Sequence, residues 1–313
     1  MEPLRVAIAG AGGVGGYFGG LLAAAGHKVA FVSRGEHLRA QQECGLQIKS
    51  IHGDFVVDGA LTTDDPSEIG EVEYVVVSVK HYQLPQMAPR LHSLIGPQTT
   101  VVPLLNGIDA GGMLSDALGP GSIVGGLCSV ISWIESPGVI RQTSQLRQIV
   151  VGELNRTKSE RVHRIVEAWR ELGVQAIESE NILSALWTKL AFIAAFGGLT
   201  SLTRTNIGEI LNSKESRELF VEAMREVEEV ATSSGVHLEE DVIRRGISMA
   251  ENLESTATSS MHRDVAAGKA FELEAFSGTV VRRGRDLSVN TPIHRMIYGL
   301  LKPALSKVLQ EQT

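Results

Sequence analysis

The chain has 313 residues, with 29 Lys+Arg against 36 Asp+Glu for a formal net charge of −7 at pH 7. A content of 43% hydrophobic and 21% charged residues is that of a folded globular protein with a sizeable core, which excludes disorder as the main state. The acidic balance and 5% aromatic content argue against a nucleic-acid partner, which calls for basic surfaces and stacking rings.

The length predicts two domains. Two cysteines, Cys44 and Cys128, are too few and too far apart for a disulfide framework or a zinc site. They fit a reducing compartment, and the cytoplasm is expected.

The amino-terminal segment is unusual in its glycines. Eight of the chain's 33 fall between Gly10 and Gly26, inside a stretch from Val6 to Gly26 that carries no charge. A signal peptide or membrane span is the competing reading of such a stretch. Glycine at this density destabilises either kind of helix, so export and a membrane partner are not expected. Leu4–Ala9 instead reads as a short apolar strand, Val14–Ala25 as a helix and Lys28–Val32 as a second strand.

Further along, Tyr74–Val79 is a continuous apolar run, as in a strand buried on both faces of a parallel sheet, and Thr99–Leu105 and Ile123–Leu127 look similar. Residues 45–63 and 139–153 alternate, which predicts two antiparallel pieces. Glu160–Leu172 is an amphipathic helix, followed by a last strand at Val174–Ile177. After Ser179 the strand signals cease and five helical stretches follow, the fourth running from Asp264 to Leu287. The fold class expected is α/β: a doubly wound Rossmann domain over residues 1–179 and an all-α domain over residues 180–313, with no low-complexity linker between them.

Gly10-Ala11-Gly12-Gly13-Val14-Gly15 matches G-x-G-x-x-G between the first strand and the first helix. Gly10 permits the tight turn, Gly12 lets the backbone approach a pyrophosphate, and Gly15 allows close helix–strand packing. The pyrophosphate would sit at the positive end of the helix. Strand, turn, helix and second strand appear in order within the span of one βαβ unit, which favours dinucleotide binding over a plain glycine-rich turn. An NAD site places a carboxylate after the second strand for the ribose hydroxyls; this chain has Ser33-Arg34 there. Arg34 is a planar cation suited to a 2′-phosphate and Ser33 a hydroxyl donor, so NADP(H) is the expected cofactor.

A nicotinamide implies hydride transfer and a group that moves a proton at the substrate oxygen. Polar residues stranded in apolar runs are the candidates. Lys80 follows Val75–Val79 at the carboxyl end of a buried strand, and Asn106 closes Leu104-Leu105. Lys189 lies in a mostly apolar helix, where it either snorkels to solvent or faces a cleft, and the helical pattern does not decide between them.

Taken together, the Gly10–Gly15 turn, Ser33-Arg34, Val79-Lys80, Asn106-Gly107 and Gly152-Glu153-Leu154 resemble the ketopantoate reductases (2-dehydropantoate 2-reductases). In the second domain Leu186-Trp187-x-Lys189-Leu190, Leu199-Thr200, Ser259-Ser260-Met261, Asp264, Phe271-Glu272-Leu273, Gly278 and Thr291-Pro292 extend the resemblance over essentially the whole chain. It implies that a small 2-oxo acid is reduced by NADPH, with Lys189 the general acid that protonates the 2-oxo oxygen. It implies further that Asn106 holds the cofactor ribose or the substrate, that Lys80 lines the same region, and that Ser260 contacts the substrate carboxylate. Glu272 would sit by the nicotinamide ribose and the reacting centre, where a carboxylate favours the protonated lysine. A homodimer is left open.

The bland alternatives are a Ser259-Ser260 helix cap, a surface Glu272 and a turn-forming Asn106. The chain also departs from the family. Members that reduce ketopantoate usually carry substrate-contacting asparagines four and eight residues after the lysine and three before the serine; here these positions are Ile193, Gly197 and Ala257. A more apolar or bulkier 2-oxo acid is expected on that ground. A related hydroxyacid or opine-type dehydrogenase and a non-catalytic NADP(H)-binding regulator are the rivals. The nine histidines show no H-x-x-x-H spacing, so no metal is expected, and Arg282, Arg283 and Arg285 read as a solvated helix face, as do Glu222, Glu226, Glu228 and Glu229.

Overall fold

A computed structural model describes residues 2–238 and 240–311. The chain forms two compact units, one of Met1–Leu105 with Ala110–Ile182 and one of Asn106–Asp109 with Leu183–Thr313. In the first unit β1 (Arg5–Ala9) leads through α1 (Gly13–Ala24) to β2 (Lys28–Val32) and α2 (Gly35–Cys44). The strands β3 (Leu46–Ser50), β4 (Phe55–Val57), β5 (Thr62–Thr63) and β6 (Tyr74–Val77) follow, then the short α3 (Leu84–Met87), β7 (Thr100–Pro103) and α4 (Ala110–Leu118). The unit ends with β8 (Gly125–Ser129), β9 (Ser132–Ser136), β10 (Val139–Gln142), β11 (Gln148–Gly152), α5 (Glu160–Arg170) and β12 (Gln175–Glu178).

The main sheet has the order β5-β2-β1-β6-β7, all its pairings parallel. Alternate residues of β1 serve opposite faces. Val6 and Ile8 join one core with Phe18, Phe31 and Trp169, while Ala7 and Ala9 join another with Leu84, Leu91 and Leu114. Burial on both faces is why these strands read as unbroken apolar runs. The chain leaves β1 on one side toward β2 and returns on the other at β6, so the strand order reverses between β1 and β6, where open α/β sheets bind ligands.

Two smaller sheets complete the unit, β4-β3-β10-β9 and β12-β11-β8. The expected antiparallel piece at 45–63 is present as β3–β4, but Thr62–Thr63 leaves it to extend the main sheet beside β2. The alternating run 139–153 forms two strands that do not pair with each other: β10 pairs antiparallel with β9, and β11 with β8. Alternation reports two unlike faces of a strand, and partners are chosen by contacts distant in sequence. The competing reading of residues 6–26 as one apolar helix is overturned by the same stretch folding as strand, turn, helix and turn.

The second unit contains α6 (Ile182–Thr203), α7 (Ile207–Asn212), α8 (Lys214–Ser233), α9 (Val242–Glu251), α10 (Ser260–Ala266), α11 (Thr279–Asp286) and α12 (Pro292–Glu311). Asn206 caps α7 by accepting from the Glu209 amide, and Glu209 returns a bond to the Asn206 amide; Ser213 caps α8 in the simpler way. Helix α8 packs against α7, α9, α11 and α12. The stretch 264–287 is not one helix. It stops after Ala266, passes through a turn and an irregular link, and resumes as a π-turn over Glu274–Gly278 that runs into α11. Helix α6 is long and apolar enough to cross a membrane by length and composition, yet 56% of its most apolar window is buried within the protein, as in a core helix.

Glu226 is a correction to the solvated face expected for the acidic run. It is buried, and its carboxylate accepts the backbone N–H groups of Ile293 and His294 at the start of α12. His294 beside it is fully buried, with Nδ1 on the Ser277 hydroxyl and Nε2 on the Ala223 carbonyl. Burial pushes its pKa from 6.5 down to about 4, against the opposing pull of the Ala223 carbonyl. The neutral ring therefore stabilises the fold above pH 6.5, and that contribution is lost as pH falls from 6.5 toward 4. We predict that the difference in unfolding free energy between wild type and His294→Gln, measured by denaturant titration, shrinks by about 1.4 kcal/mol per pH unit across this window. A pH-independent difference would contradict it.

Candidate functional site

In the first unit the glycine turn lies at the end of β1 and is tied down from two directions. The amides of Gly10 and Ala11 both donate to the Val32 carbonyl at the end of β2, and the Ser78 hydroxyl donates to the Gly10 carbonyl at 2.8 Å. Gly10 has φ +101°, a conformation that favours glycine, and a Cβ there would stand 2.8 Å from the Val79 side chain. A Cβ on Gly15 would meet the Ser78 hydroxyl at 2.1 Å and the Gly10 carbonyl at 2.3 Å, so only glycine lets α1 start this close to the sheet. Gly12, in contrast, faces open space: nothing lies within 4 Å of where its Cβ would be. Gly13 begins α1 against the backbone of Ser132 and Trp133, and Val14 follows it. An open, side-chain-free approach to a helix N-terminus fits a pyrophosphate.

A histidine that sequence reasoning missed holds this turn. The Gly138 amide donates to His37 Nδ1, so the ring proton sits on Nε2, which donates to the Ala11 carbonyl at 2.8 Å. Burial lowers the pKa of His37, opposed by the Ala11 contact, and the ring works as a neutral bridge. Ser33 is buried at the end of β2 and accepts a bond from Gln41 at 2.9 Å, while Arg34 is exposed as the cap of α2. Lys80 is half-buried beyond β6, its amide donating to Gln83 Oε1. These residues lie at the carboxyl ends of β1, β2 and β6, on both sides of the switch point.

The second unit brings together three of the remaining candidates. Lys189 Nζ donates to Asn106 Oδ1 at 3.0 Å, and Asn106 Nδ2 donates to Glu272 Oε2 at 3.1 Å. An ammonium has only donors and an ionised carboxylate only acceptors, so the amide fits one way round. Glu272 is 5% exposed, which overturns its reading as a surface helix residue.

The segment carrying Asn106 is itself pinned. Gly107, at φ +93°, lies against Ala275 of the π-turn, 3.1 Å from its carbonyl to an added Cβ. Asp109 accepts from the Thr279 hydroxyl and from Arg283 at 2.8 Å, and the Arg283 guanidinium lies 5.8 Å over the Trp187 ring, two residues before the lysine. Arg283 and Arg282, which pairs with Glu274, are thus bound rather than merely solvated. Sequence reasoning missed Asp109, Arg283 and the ring of Trp187, because nothing local marks a contact across 174 positions.

Ser259, not Ser260, is the cap of α10, accepting from the His262 amide at 2.9 Å and touching the Thr200 hydroxyl. Ser260 is half-buried as the first residue of α10. Its neighbour Met261 packs at Gly197, two turns or about 12 Å along α6 from Lys189. Ala257 contributes backbone groups: its carbonyl accepts from the Ile207 amide and its amide donates to the Glu254 carbonyl.

Among the described residues one trio could offer ligands to a metal: His163, Glu167 and Glu178, their ligand atoms within 4.8 Å of one another. Glu178 is already bonded to His163 and Glu167 to Arg170, so the group is a self-paired patch of the first unit.

The packing of Gly107 generates a direct test. Gly107→Ala places a side chain at positive φ against Ala275 and displaces Asn106. The expected cost is about 1–3 kcal/mol in denaturant unfolding. A change under about 0.3 kcal/mol would show that the turn is not constrained as described.

Two family models match, "Ketopantoate reductase PanE/ApbA" over residues 6–156 and "Ketopantoate reductase PanE/ApbA C terminal" over residues 181–304. The chain is 30% identical to the uncharacterized oxidoreductase YkpB of Bacillus subtilis, covering 96% of this chain and 98% of that protein. It is 28% identical to the 2-dehydropantoate 2-reductase of Mesorhizobium japonicum, over 96% and 97% of the two chains. The crystal structure of a PanE/ApbA family ketopantoate reductase from Ralstonia eutropha superposes with a TM-score of 0.90 at 27% identity, over 98% and 100% of the chains. With both halves matched and its relatives spanned end to end, this chain is an oxidoreductase of the ketopantoate reductase PanE/ApbA family.

Proposed function

We propose that the chain reduces a small 2-oxo acid to the 2-hydroxy acid with NADPH, Lys189 acting as general acid. The observation that carries this reading is the bridge from Lys189 through the Asn106 amide to the buried Glu272 carboxylate. The Mesorhizobium relative is named for a reductase reaction on 2-dehydropantoate, and we carry its class, reduction of a 2-oxo acid, to this chain.

The turn from Gly10 to Gly15 would hold the pyrophosphate, with Gly12 giving the open approach and the first amides of α1 the donors. Arg34 and Ser33 would take the 2′-phosphate, at the position where an NAD site carries a carboxylate. Lys80, at the switch point, would line the same region. When bound, the reduced nicotinamide supplies a hydride to the substrate's C2.

The protein's own work is at the oxygen. Lys189 meets the negative charge that builds on the 2-oxo oxygen and passes it a proton, so the alkoxide never forms free in the site. Asn106 fixes where the ammonium stands and offers the cofactor ribose or the substrate a polar edge. Glu272 keeps the Asn106 amide turned correctly and adds a negative charge behind it. Ser260 would receive the substrate carboxylate.

Purified protein is expected to consume NADPH in the presence of a 2-oxo acid and to prefer it to NADH. Arg34→Ala should narrow that preference by about tenfold to a hundredfold, the loss of one charge-assisted phosphate contact. A wild-type preference for NADH would overturn the cofactor reading. Asn106→Asp sets a second acceptor against Glu272, and kcat/KM is expected to fall about a hundredfold through misplacement of Lys189. Unchanged kcat/KM in that variant would remove the bridge from the mechanism.

A further inference from the structure

Helix α6 carries Lys189 on a half-buried stripe, and for the two turns that follow the residues on that stripe are hydrocarbon. At 3.6 residues per turn, Phe192, Ile193 and Phe196 lie within about 60° of Lys189 around the helix axis. Each is half-buried, as Lys189 is. Helical side chains lean toward the amino terminus, so Ile193 leans back over the turn that bears the lysine and Phe196 over the turn that bears Ile193.

The aromatic pair is braced. The rings of Phe192 and Phe196 are 5.6 Å apart, and Phe192 stands edge-on to Phe220 of α8 at 6.1 Å. One turn beyond Ile193, Gly197 has no side chain and cannot readily gain one. A Cβ there would meet the Phe276 ring at 3.2 and 3.3 Å, and Phe276 is buried and held by the π-turn that follows Glu272. The stripe therefore presents polar groups at the reacting oxygen, through Lys189 and Asn106, and hydrocarbon for two turns past it.

We propose that the preferred substrate is a 2-oxo acid whose group on the keto carbon is a branched-alkyl or aromatic hydrocarbon rather than a hydroxylated chain, a reading that rests on the reductase function above. In the reaction C2 gains a hydride from NADPH, the carbonyl oxygen gains the Lys189 proton, and NADP+ and the 2-hydroxy acid leave. Lys189 recovers its proton from water. A hydroxyl on the substituent would lose its water against Ile193 and the phenylalanine rings without gaining a partner, and this sets the discrimination.

The test is a matched pair with purified protein and NADPH: ketopantoate, and trimethylpyruvate, which lacks only its hydroxyl; phenylglyoxylate serves as the aromatic probe. The expected result is a kcat/KM for trimethylpyruvate about tenfold or more above that for ketopantoate, with phenylglyoxylate also turned over. Parity, or a preference for ketopantoate, overturns this inference and leaves the reductase reading standing. No NADPH consumption with any of the three overturns both. Ile193→Asn is expected to shift the ratio toward ketopantoate by about tenfold; a ratio that does not move in a folded, active variant also overturns the proposal.

Discussion

The Asn106 side chain stands between an ammonium and a carboxylate, and its amide can satisfy both in only one orientation. Its oxygen takes the Lys189 donor and its nitrogen gives to Glu272. Much of the second unit serves to keep that amide in place. Gly107 turns the chain at positive φ onto the π-turn, and Asp109 anchors the same tetrapeptide to Thr279 and Arg283. The π-turn has two further consequences, since it begins two residues after Glu272 and sets Phe276 against Gly197. One irregular stretch of helix thus fixes the carboxylate, the amide and the apolar wall, in keeping with the tendency of π-bulges to occur at functional sites.

The first unit solves a different problem, close approach. A dinucleotide-type turn must bring backbone amides to open space while packing its helix against the sheet. Gly12 provides the opening and Gly15 the packing, while Ser78, the Val32 carbonyl and His37 keep the turn from drifting. His37 does this as a neutral ring, so its lowered pKa and its structural task agree.

Much of the fold was legible in the sequence because its signals are local. Unbroken apolar runs report strands buried on both faces, and Gly10–Gly15 announces a strand–turn–helix. Pairing was less legible: β10 and β11 read as one antiparallel pair but belong to separate sheets. In the site, Lys189 and Asn106 stood out as polar residues closing or interrupting apolar runs. Their connection was not readable, since Asn106 and Glu272 are 166 positions apart. Arg283 read as part of a solvated helix face and His37 and Asp109 carried no sequence signal, and only their distant partners give the three a task. Gly197 was visible as a missing polar group, but the ring that fills its place was not.

In the proposed function Lys189 moves the proton and does not merely help bind the cofactor. Titration of Lys189→Ala with NADPH, followed by turnover with the best 2-oxo acid substrate, tests it most directly. Nearly unchanged NADPH affinity together with a fall in turnover of roughly 10²–10⁴-fold is expected. Turnover close to wild type in that variant, with NADPH bound, would contradict it.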